Sequence, residues 1–382
     1  MKTLCLGETA ESNVYGTIGV CLVQAYAAPN YIRGLTLMAA ARTIRTVELT
    51  QAFNTSGGVA RYWQAIHKLL AIKKKSSPDA YILAFRGHEI AWLIRHLAKK
   101  QMFVFDAMMS PYSALTEERK FGWRGTLLAK LWRPIEHSAL RNADAILTDT
   151  QSHSAYYQSE FGIPASKIIV IPVGAIEKPA VNYTPPHCDS PFRVLFYGSF
   201  LPLHGIDTIV SAAAKVTDLP VRFDFIGGNR RDALQLDKNL RKNGVRNFTH
   251  RRWVNFDRIL DEEIPGCDLC LGGPFGGTPQ ARRVVTGKTH QAIALGKATV
   301  VGKITEDCGF IDKQNCLLVE QGNPEDLAEA IRWAYINRHE LPALGMRAKD
   351  LHNQRYSSTA IGTRLGEALS KLQNDFAKVA AS

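Results

Sequence analysis

The chain has 382 residues, with 47 Lys or Arg against 35 Asp or Glu and a formal net charge of +12. Its 46% hydrophobic and 21% charged residues exclude a disordered or fibrous chain, and at about 100–200 residues per domain the length predicts two domains. No apolar run reaches the roughly 18 residues that a membrane-spanning helix needs.

The cationic excess is larger in the first half of the chain. Residues 1–180 hold 21 Lys or Arg and 13 Asp or Glu, whereas residues 181–382 hold 26 and 22. Such an excess indicates a nucleic acid, an anionic membrane surface or a negatively charged substrate as the partner. The alternative is that clusters such as 73–75 and 99–100 only end solvated helices, where cations suit the helix dipole.

The cysteines and the N-terminal residues favour a cytoplasmic protein. Seven cysteines scattered through a chain of this length fit reduced thiols better than a disulfide framework. Residues 25–27 have the form of a signal-peptide cleavage site, but Glu8 and Glu11 do not belong in a basic leader and the same stretch fits a first strand.

Short β-branched runs alternate with longer amphipathic segments in the first half of the chain, a pattern typical of βαβ units with a parallel sheet. Strands are predicted at 19–26, 46–51, 80–85, 102–107, 145–150 and 167–173, and helices near 34–45, 58–75, 89–100, 125–142 and 151–161.

A second unit of the same kind follows a linker. Residues 174–191 lose the periodicity and contain four prolines, which is typical of a connection between domains. Beyond it, strands are predicted at 192–198, 221–227, 246–250, 268–272, 298–302 and 316–320, and helices near 205–217, 231–243, 256–263, 288–296, 324–338 and 357–379.

The predicted fold class is therefore α/β, with two Rossmann-like domains that face each other across a cleft. The first domain spans 1–175 and the second 190–355, and we expect the C-terminal helix within 356–382 to pack back on the first domain. Ligands of such folds bind at the carboxyl ends of the strands, so the cleft is the expected site.

One glycine-bounded loop of the second unit fits an anion such as a diphosphate. Gly198 and Gly205 enclose a loop between a buried strand and a helix, and Gly227 ends the next strand. Backbone N–H groups and the positive end of the helix dipole would face the anion there, with His204 as a further donor. The alternative is that these glycines only permit a tight turn.

A second loop adds cations. A Gly-rich run from 272 leads to Arg282 and Arg283, and Lys288 begins the following helix. Three cations beside exposed amides suit a pyrophosphate, and Gln291, one turn into the helix, is placed to bond a sugar or ribose hydroxyl. A basic loop that is only solvated is the alternative.

These motifs resemble a known family when they are taken together. The order YGSFLPLHGIDTI, VRFDFIGG, DLCLGGPFGG…ARRVVTGKTHQAIALGK and NCLLVEQGNPEDLAEAI resembles the C-terminal domain of glycosyltransferase family 4, and VIPVGA at 170–175 resembles the end of the N-terminal domain in those enzymes. The resemblance covers residues 140–340 and is weak in the first 100 residues.

The resemblance implies a GT-B fold and a retaining, metal-independent transfer of a hexose from a nucleotide-diphosphate sugar. It further implies an acceptor hydroxyl on a glycan, a lipid-linked compound or a small molecule. The chain itself would need no cofactor. The basic first half would then rest on anionic lipid, so that the protein is peripheral at the inner face of the membrane, and a nucleic-acid partner is not expected.

Four positions depart from the family's pattern. The phosphate-binding Arg and Lys of its G-R-x-x-x-x-K-G motif fall on Ser199 and His204, and the two glutamates of its E-x7-E motif fall on Arg283 and Gln291. His204 and Gln291 retain hydrogen-bonding capacity, but Arg283 cannot accept hydrogen bonds from a donor sugar. The departures leave open a degenerate GT-B protein that serves as a non-catalytic binding or partner subunit.

The first unit offers candidates for the acceptor side. Arg33 opens a helix after the first strand, and Arg86, His88 and Asp106 follow later strands. Asp106 or His88 would orient the acceptor hydroxyl or take its proton, and Arg33 and Arg86 would form an acceptor-side or phosphate loop. Buried structural roles are the alternative for each.

A metal site is not expected. Cys267 and Cys270 have the spacing of metal ligands, but they lie on an apolar strand and no second pair matches them, which favours buried structural thiols.

Overall fold

The computed structural model describes residues 17–28, 31–118, 122–178 and 191–381. Within these ranges there are two six-stranded parallel sheets, each flanked by helices on both faces. The predicted fold class of two Rossmann-like domains is confirmed. No helix in the described ranges combines the length and the apolar character that crossing a bilayer requires.

The first sheet has the strand order β2-β1-β3-β4-β5-β6. Its four inner strands, β1, β3, β4 and β5, are almost entirely buried because helices cover both faces of the sheet, whereas only Ala52 of the edge strand β2 is buried. The elements are β1 Ile18–Gln24, α1 Ile32–Arg42, β2 Val47–Phe53, α2 Ala60–Ser76, β3 Ala80–Leu83, α3 Ala91–Leu97, β4 Met102–Asp106, α4 Pro111–Thr116, α5 Gly122–Asn142, β5 Ala145–Thr148, α6 Gln151–Phe161 and β6 Ile168–Val170.

The second sheet has the order β12-β11-β10-β7-β8-β9. Helix α9 continues as a π-helical turn over Ile259–Glu263. The elements are β7 Phe192–Tyr197, α7 Ile206–Ala214, β8 Val221–Ile226, α8 Arg230–Lys242, β9 Phe248–Arg251, α9 Phe256–Arg258, β10 Leu269–Leu271, α10 Gly287–Ala294, β11 Thr299–Gly302, β12 Leu317–Val319, α11 Pro324–Ile336, α12 Leu341–Arg355 and α13 Ser358–Ala381.

The helices of each domain pack on both faces of its sheet, so each domain has two buried clusters. In the first domain, α2, α3, α5 and α6 share one buried cluster with the strands, and α1 lies on the opposite face. In the second, α7, α8 and α11 cover one face, while the α9 turn and α10 cover the other.

The C-terminal helix belongs to the core of the first domain. Ile361, Leu365 and Leu369 of α13 are each about 1% exposed and pack with Leu37 and Ala40 of α1. The chain therefore crosses between the domains twice, and the crossings touch: the Ser358 N–H donates to Glu177 Oε1 at 2.6 Å.

Candidate functional site

The Gly-rich loops of the second domain meet at one point of its sheet. After β7 the chain runs outward to β8 and β9, and it then returns to place β10 on the other side of β7. The gap between β7 and β10 is therefore the topological switch point, where open α/β sheets bind ligands. The loops 198–205 and 272–286 leave the sheet on either side of it.

The glycines permit backbones to approach closely there. Gly205 has φ +65° and Gly227 has φ +120°. A Cβ on Gly227 would lie 1.9 Å from the Gly198 carbonyl oxygen, and a Cβ on Gly205 would lie 2.4 Å from the carbonyl carbon of Phe275. Only glycine fits both the φ angles and the contacts, and these glycines bring three loops together.

Lys288 lies inside this junction. It is the second residue of α10, whose N-cap Thr286 accepts a hydrogen bond from the Thr289 N–H, and it is only 8% exposed. Its Nζ lies 5.4 Å above the centre of the Phe196 ring and would be 3.5 Å from a Cβ on Gly198. Among the residues that the structure describes, no carboxylate forms an ion pair with this amine.

Burial without a counter-ion changes the titration of Lys288. Desolvation lowers the pKa of its amine from 10.5 to about 7, because the charged form loses water and gains no partner. A phosphate group beside Nζ would supply the missing negative charge.

His204 lies next to this amine. Its Nδ1 contacts the Ser199 carbonyl oxygen, so Nδ1 carries the proton and donates it to that oxygen, and Nε2 lacks one. Burial and the nearby Lys288 hold the pKa of His204 well below its usual value. The imidazole therefore anchors the loop in its neutral form, and it can donate to a phosphate only after taking up a proton.

Two helix N-termini also meet in the cleft. A Cβ on Gly287, the first residue of α10, would lie 3.3 Å from Cγ2 of Ile32, the first residue of α1. Each helix directs its positive dipole end and free N–H groups to this place. The site therefore combines a buried amine, an imidazole and two helix ends from different domains.

Arg33 and Asp106 correct the sequence-based expectation. Both side chains are 0% exposed and form an ion pair, with Nη2 of Arg33 2.9 Å from Oδ1 of Asp106. The guanidinium also donates to the carbonyls of Ile171 and Pro172, and Asp106 accepts from the Phe85 N–H. Both side chains are therefore engaged inside the first domain, where they hold the ends of its sheet together.

His88 and Arg86 are also less open than expected. His88 is 2% exposed and lies edge-on against Phe105, and burial together with Arg86 lowers the pKa of its imidazole to about 3. The Arg86 guanidinium lies over the Trp132 ring, 4.6 Å from its centre. His88 is thus neutral near pH 7 and lines an apolar hollow instead of the cleft.

Arg283 and Gln291 connect the domains. Arg283 stacks on Tyr156 and pairs with Glu117 of the first domain. Its guanidinium is therefore directed to the first domain, whereas the sequence had predicted that it faces the pyrophosphate beside the glycine loops. The Gln291 amide accepts from the Ile176 N–H at 3.0 Å and donates to its carbonyl at 2.9 Å. Both side chains that replace the family's glutamates are therefore engaged within the protein. Arg282 is exposed, and its carbonyl accepts from Thr305.

A polar cavity between the domains lies beyond this contact, and the residues that line it were not among the predicted site residues. It measures about 200 Å³. The Gln151 N–H donates across the interface to Glu306 at 2.8 Å, and burial raises the pKa of that carboxyl. Acidic and basic side chains from several segments face it, namely Asp149, His290, Glu306, Asp307, Arg355 and Arg364.

The cysteine pair is structural. Cys267 and Cys270 are buried with their Sγ atoms 3.4 Å apart, inside the cluster that includes Ile259 and Leu260, which confirms their predicted burial. Among the described residues, no group of three His, Cys, Asp or Glu side chains is arranged to hold a metal ion.

Part of the second domain resembles a known family. Residues 191–337 match the family described as Glycosyl transferases group 1. No curated sequence matches the chain significantly.

Solved structures resemble the whole fold. Sucrose-phosphate synthase from Thermosynechococcus elongatus superposes with a TM-score of 0.69 at 13% identity, over 96% of this chain and 100% of that one. HepE from Anabaena, in complex with UDP-glucose, gives 0.65 at 15% identity over 93% and 100%. The lipopolysaccharide outer core galactosyltransferase WaaB gives 0.60 at 13% identity over 93% and 99%. The chain has the GT-B fold of these glycosyltransferases.

Proposed function

We propose that the protein is a retaining, metal-independent glycosyltransferase that moves a hexose from a nucleotide-diphosphate sugar to an acceptor hydroxyl. The proposal is supported by the family match over the second domain and by the GT-B fold. The observation that carries it is Lys288, a buried amine without a counter-ion at the switch point of the sheet. A diphosphate supplies the charge that this amine lacks.

The chemistry follows from stabilisation of the leaving group. When the bond between the anomeric carbon and the phosphate oxygen breaks, its electron pair remains on the diphosphate, and Lys288 and the helix ends stabilise that charge. The acceptor oxygen bonds to the anomeric carbon and loses its proton. Because Asp106 is held in an ion pair and His88 lies in an apolar hollow, we assign the proton to the departing diphosphate.

Calorimetry against UDP, GDP, ADP and dTDP tests the donor site. Wild-type protein is expected to bind at least one of them, and Lys288→Met is expected to lose roughly 100-fold or more in affinity, since a charge-assisted contact in a buried site is lost. Lys303→Ala is the matched control, because Lys303 is an exposed cation of the same domain paired with Glu320. Absence of binding by the wild type to all four nucleotides contradicts the proposal.

Retention is tested on the product. Once a donor and an acceptor are found, proton NMR of the new glycosidic linkage is expected to show the anomeric configuration of the donor. An inverted product would contradict a retaining mechanism.

A degenerate, non-catalytic GT-B subunit is the second candidate, and one observation favours it. The side chains at both family glutamate positions are occupied, Arg283 by Glu117 and Gln291 by Ile176. This candidate predicts nucleotide binding without transfer for a range of acceptors, and a partner that purifies with the chain. Transfer by the isolated chain that is lost in Lys288→Met without loss of folding would reject it.

We further infer a cytoplasmic protein whose acceptor is carried by the inner face of a membrane. The support is the +8 charge of residues 1–180, with 21 cations against 13 anions, because cytoplasmic leaflets are anionic. Transfer to a lipid-linked acceptor in vesicles, compared with the same acceptor freed of its lipid, tests this location.

A further inference from the structure

Three helices on one face of the first sheet expose large apolar side chains. Trp63 on α2 is 73% exposed, Trp92 on α3 is 65% exposed and Leu131 on α5 is 62% exposed. The buried sides of the same helices share one core cluster, so these residues lie on the outer side of one layer. Leu127, Leu128 and Ile135 of α5 extend this apolar set. We call the outer side of α2, α3 and α5 the helical face.

The three helices of the helical face carry mostly positive charge, although Arg61, Arg95 and Arg133 pair with the carboxylates of Glu89, Asp144 and Glu160 from neighbouring segments. The three helices contain ten Lys or Arg, five in α2, one in α3 and four in α5. Their one carboxylate in the described structure is Glu136, which is 0% exposed. Helices elsewhere mix signs: α8 has Asp232 and Asp237 among its cations, and α13 has Glu367 and Asp375.

A hollow opens among the apolar side chains. It measures about 530 Å³ and is lined by the apolar side chains of Trp92, Pro134, Ile135 and Ala139 together with His88, Glu89 and Ser138. His88 follows β3, so the hollow lies where α3 begins. Helices of this sheet run opposite to its strands, and the first turns of α2 and α3 therefore lie at the carboxyl edge, next to the cleft.

We propose that the helical face docks on an anionic lipid bilayer, with Trp63, Trp92 and the leucines of α5 inserted at the level of the headgroups. Exposed Trp beside Lys and Arg is the composition of interfacial membrane contacts. The core of a protein interface is depleted in lysine, which favours lipid over a protein partner. The lipid binding stands by itself; only its consequence, an acceptor delivered to the cleft edge, rests on the proposed function.

Lysines at the far ends of the helices extend the contact. Lys74 and Lys75 close α2, and Lys99 and Lys100 follow α3, all four exposed. A helix of 17 residues is about 25 Å long, so a bilayer that contacts both ends lies flat along the layer. Docking then depends on both apolar and charged groups.

Vesicle sedimentation separates these contributions. The full chain is expected to sediment with vesicles of phosphatidylcholine containing 30% phosphatidylglycerol, and much less with phosphatidylcholine alone or in high salt. Two variants are expected to lower the bound-to-free ratio at least tenfold: Trp63→Ser/Trp92→Ser/Leu131→Ser, and the fourfold replacement of Lys74, Lys75, Lys99 and Lys100 by Glu.

Matched variants of the second domain provide the controls. Trp253→Ser removes a side chain that is 78% exposed, and replacing Arg230, Arg231, Lys238 and Lys242 by Glu makes the same change in net charge on α8. Both are expected to bind vesicles like the wild type. Circular dichroism and nucleotide calorimetry of every variant separate loss of docking from loss of folding or of the donor site.

Three results would overturn the proposal. The first is wild-type protein that stays in the supernatant with anionic vesicles. The second is a loss of binding in the controls on α8 and Trp253 as large as in the variants of the helical face. The third is a dimer in light scattering that the Trp63/Trp92/Leu131 variant abolishes, which would assign the face to a second copy of the chain.

Discussion

A buried ammonium group with no counter-ion destabilises the fold that contains it, and Lys288 is such a group. Its pKa of about 7, against 10.5 for an exposed lysine, means that folding favours the neutral amine. The protein tolerates this cost at the switch point of its second sheet, where a ligand with negative charge would remove it.

Lys288→Met is therefore expected to stabilise the protein in the absence of ligand. The change keeps an unbranched side chain and removes a charge that the site does not neutralise, so the free energy of unfolding should rise by about 2 kcal/mol. The gain is largest below pH 7, where the native amine is charged, and it disappears as the pH approaches 10.5. Urea unfolding at pH 6.5 and pH 9.5 measures it; equal gains at both pH values would contradict this account.

The same pKa predicts how nucleotide binding depends on pH. Protonated Lys288 attracts a diphosphate and the neutral amine does not, so affinity should be constant below pH 7 and should fall above it. If the bound amine stays protonated, the dissociation constant rises about 30-fold between pH 6 and pH 8.5. Calorimetry over this range checks the slope, and Lys288→Met is expected to remove it.

The Arg33–Asp106 pair shows what residue-level reasoning from the sequence could not supply. Both residues were correctly placed next to strand ends, where cleft residues also lie. Whether such a side chain turns to the cleft or to the interior depends on partners far along the chain, here 73 residues away. The signal that was missed is chemical: Arg33 after β1 and Asp106 at the end of β4 are opposite charges beside buried apolar strands of one sheet, where such charges pair with each other.

At the scale of elements, the loop from 198 to 205 and the start of α10 act as one unit. Helix α10 supplies Lys288, and the loop supplies the glycines that let it approach. The sequence predicted both segments, because a strand, a glycine-bounded loop and a helix start follow one another in each.

Gly205→Ala is expected to disturb this unit. The new Cβ would meet the Phe275 backbone at 2.4 Å, in addition to the strain of φ +65°, so we expect a loss of about 2–4 kcal/mol in stability and weaker nucleotide binding. Gly244→Ala is the control, because φ there is +78° but no atom lies within 4 Å. It should lose about 1 kcal/mol and bind normally. Similar losses in both variants would mean that loop packing is unimportant.

Two helices were missed in the sequence. Helix α4 has only six residues, and its signals are the N-cap Ser110 and Pro111 in the first turn. Helix α12 buries Leu341, Leu344, Ala348 and Leu351, a helical spacing that Pro342 and Gly345 obscured. Pro342 lies at the helix start, where proline is tolerated, and Gly345 lets α12 approach the loop at Gly296.

At the scale of the whole molecule, the last helix makes the first domain depend on the far end of the chain. Its apolar periodicity identified it as a helix. What it packs against could not be derived from that periodicity, because an amphipathic helix fits any complementary apolar face. The structure shows that the face is that of α1.

Leu365→Ala is expected to destabilise the first domain more than the second. Leu365 is 1% exposed, and truncation at such a site costs about 2–5 kcal/mol. Calorimetry should show a lower transition temperature for one of two unfolding transitions, with the nucleotide-stabilised transition unchanged. Glu367→Ala, two residues later on the same helix and exposed, is the matched control. A uniform fall in both transitions would show that the domains unfold as one unit.

The two touching crossings of the chain have a mechanical consequence. A Cβ on Gly174, in the first crossing, would lie 3.0 Å from Ile361, just after the second, and Ser358 is bonded to Glu177. These two connecting segments are fixed side by side and define an axis between the domains. We expect the domains to rotate about this axis as a hinge and not to slide apart. Opening to admit a donor is then a rotation of one angle, and the contacts that it must break include the pair of Arg283 with Glu117 and the hydrogen bond from Gln151 to Glu306.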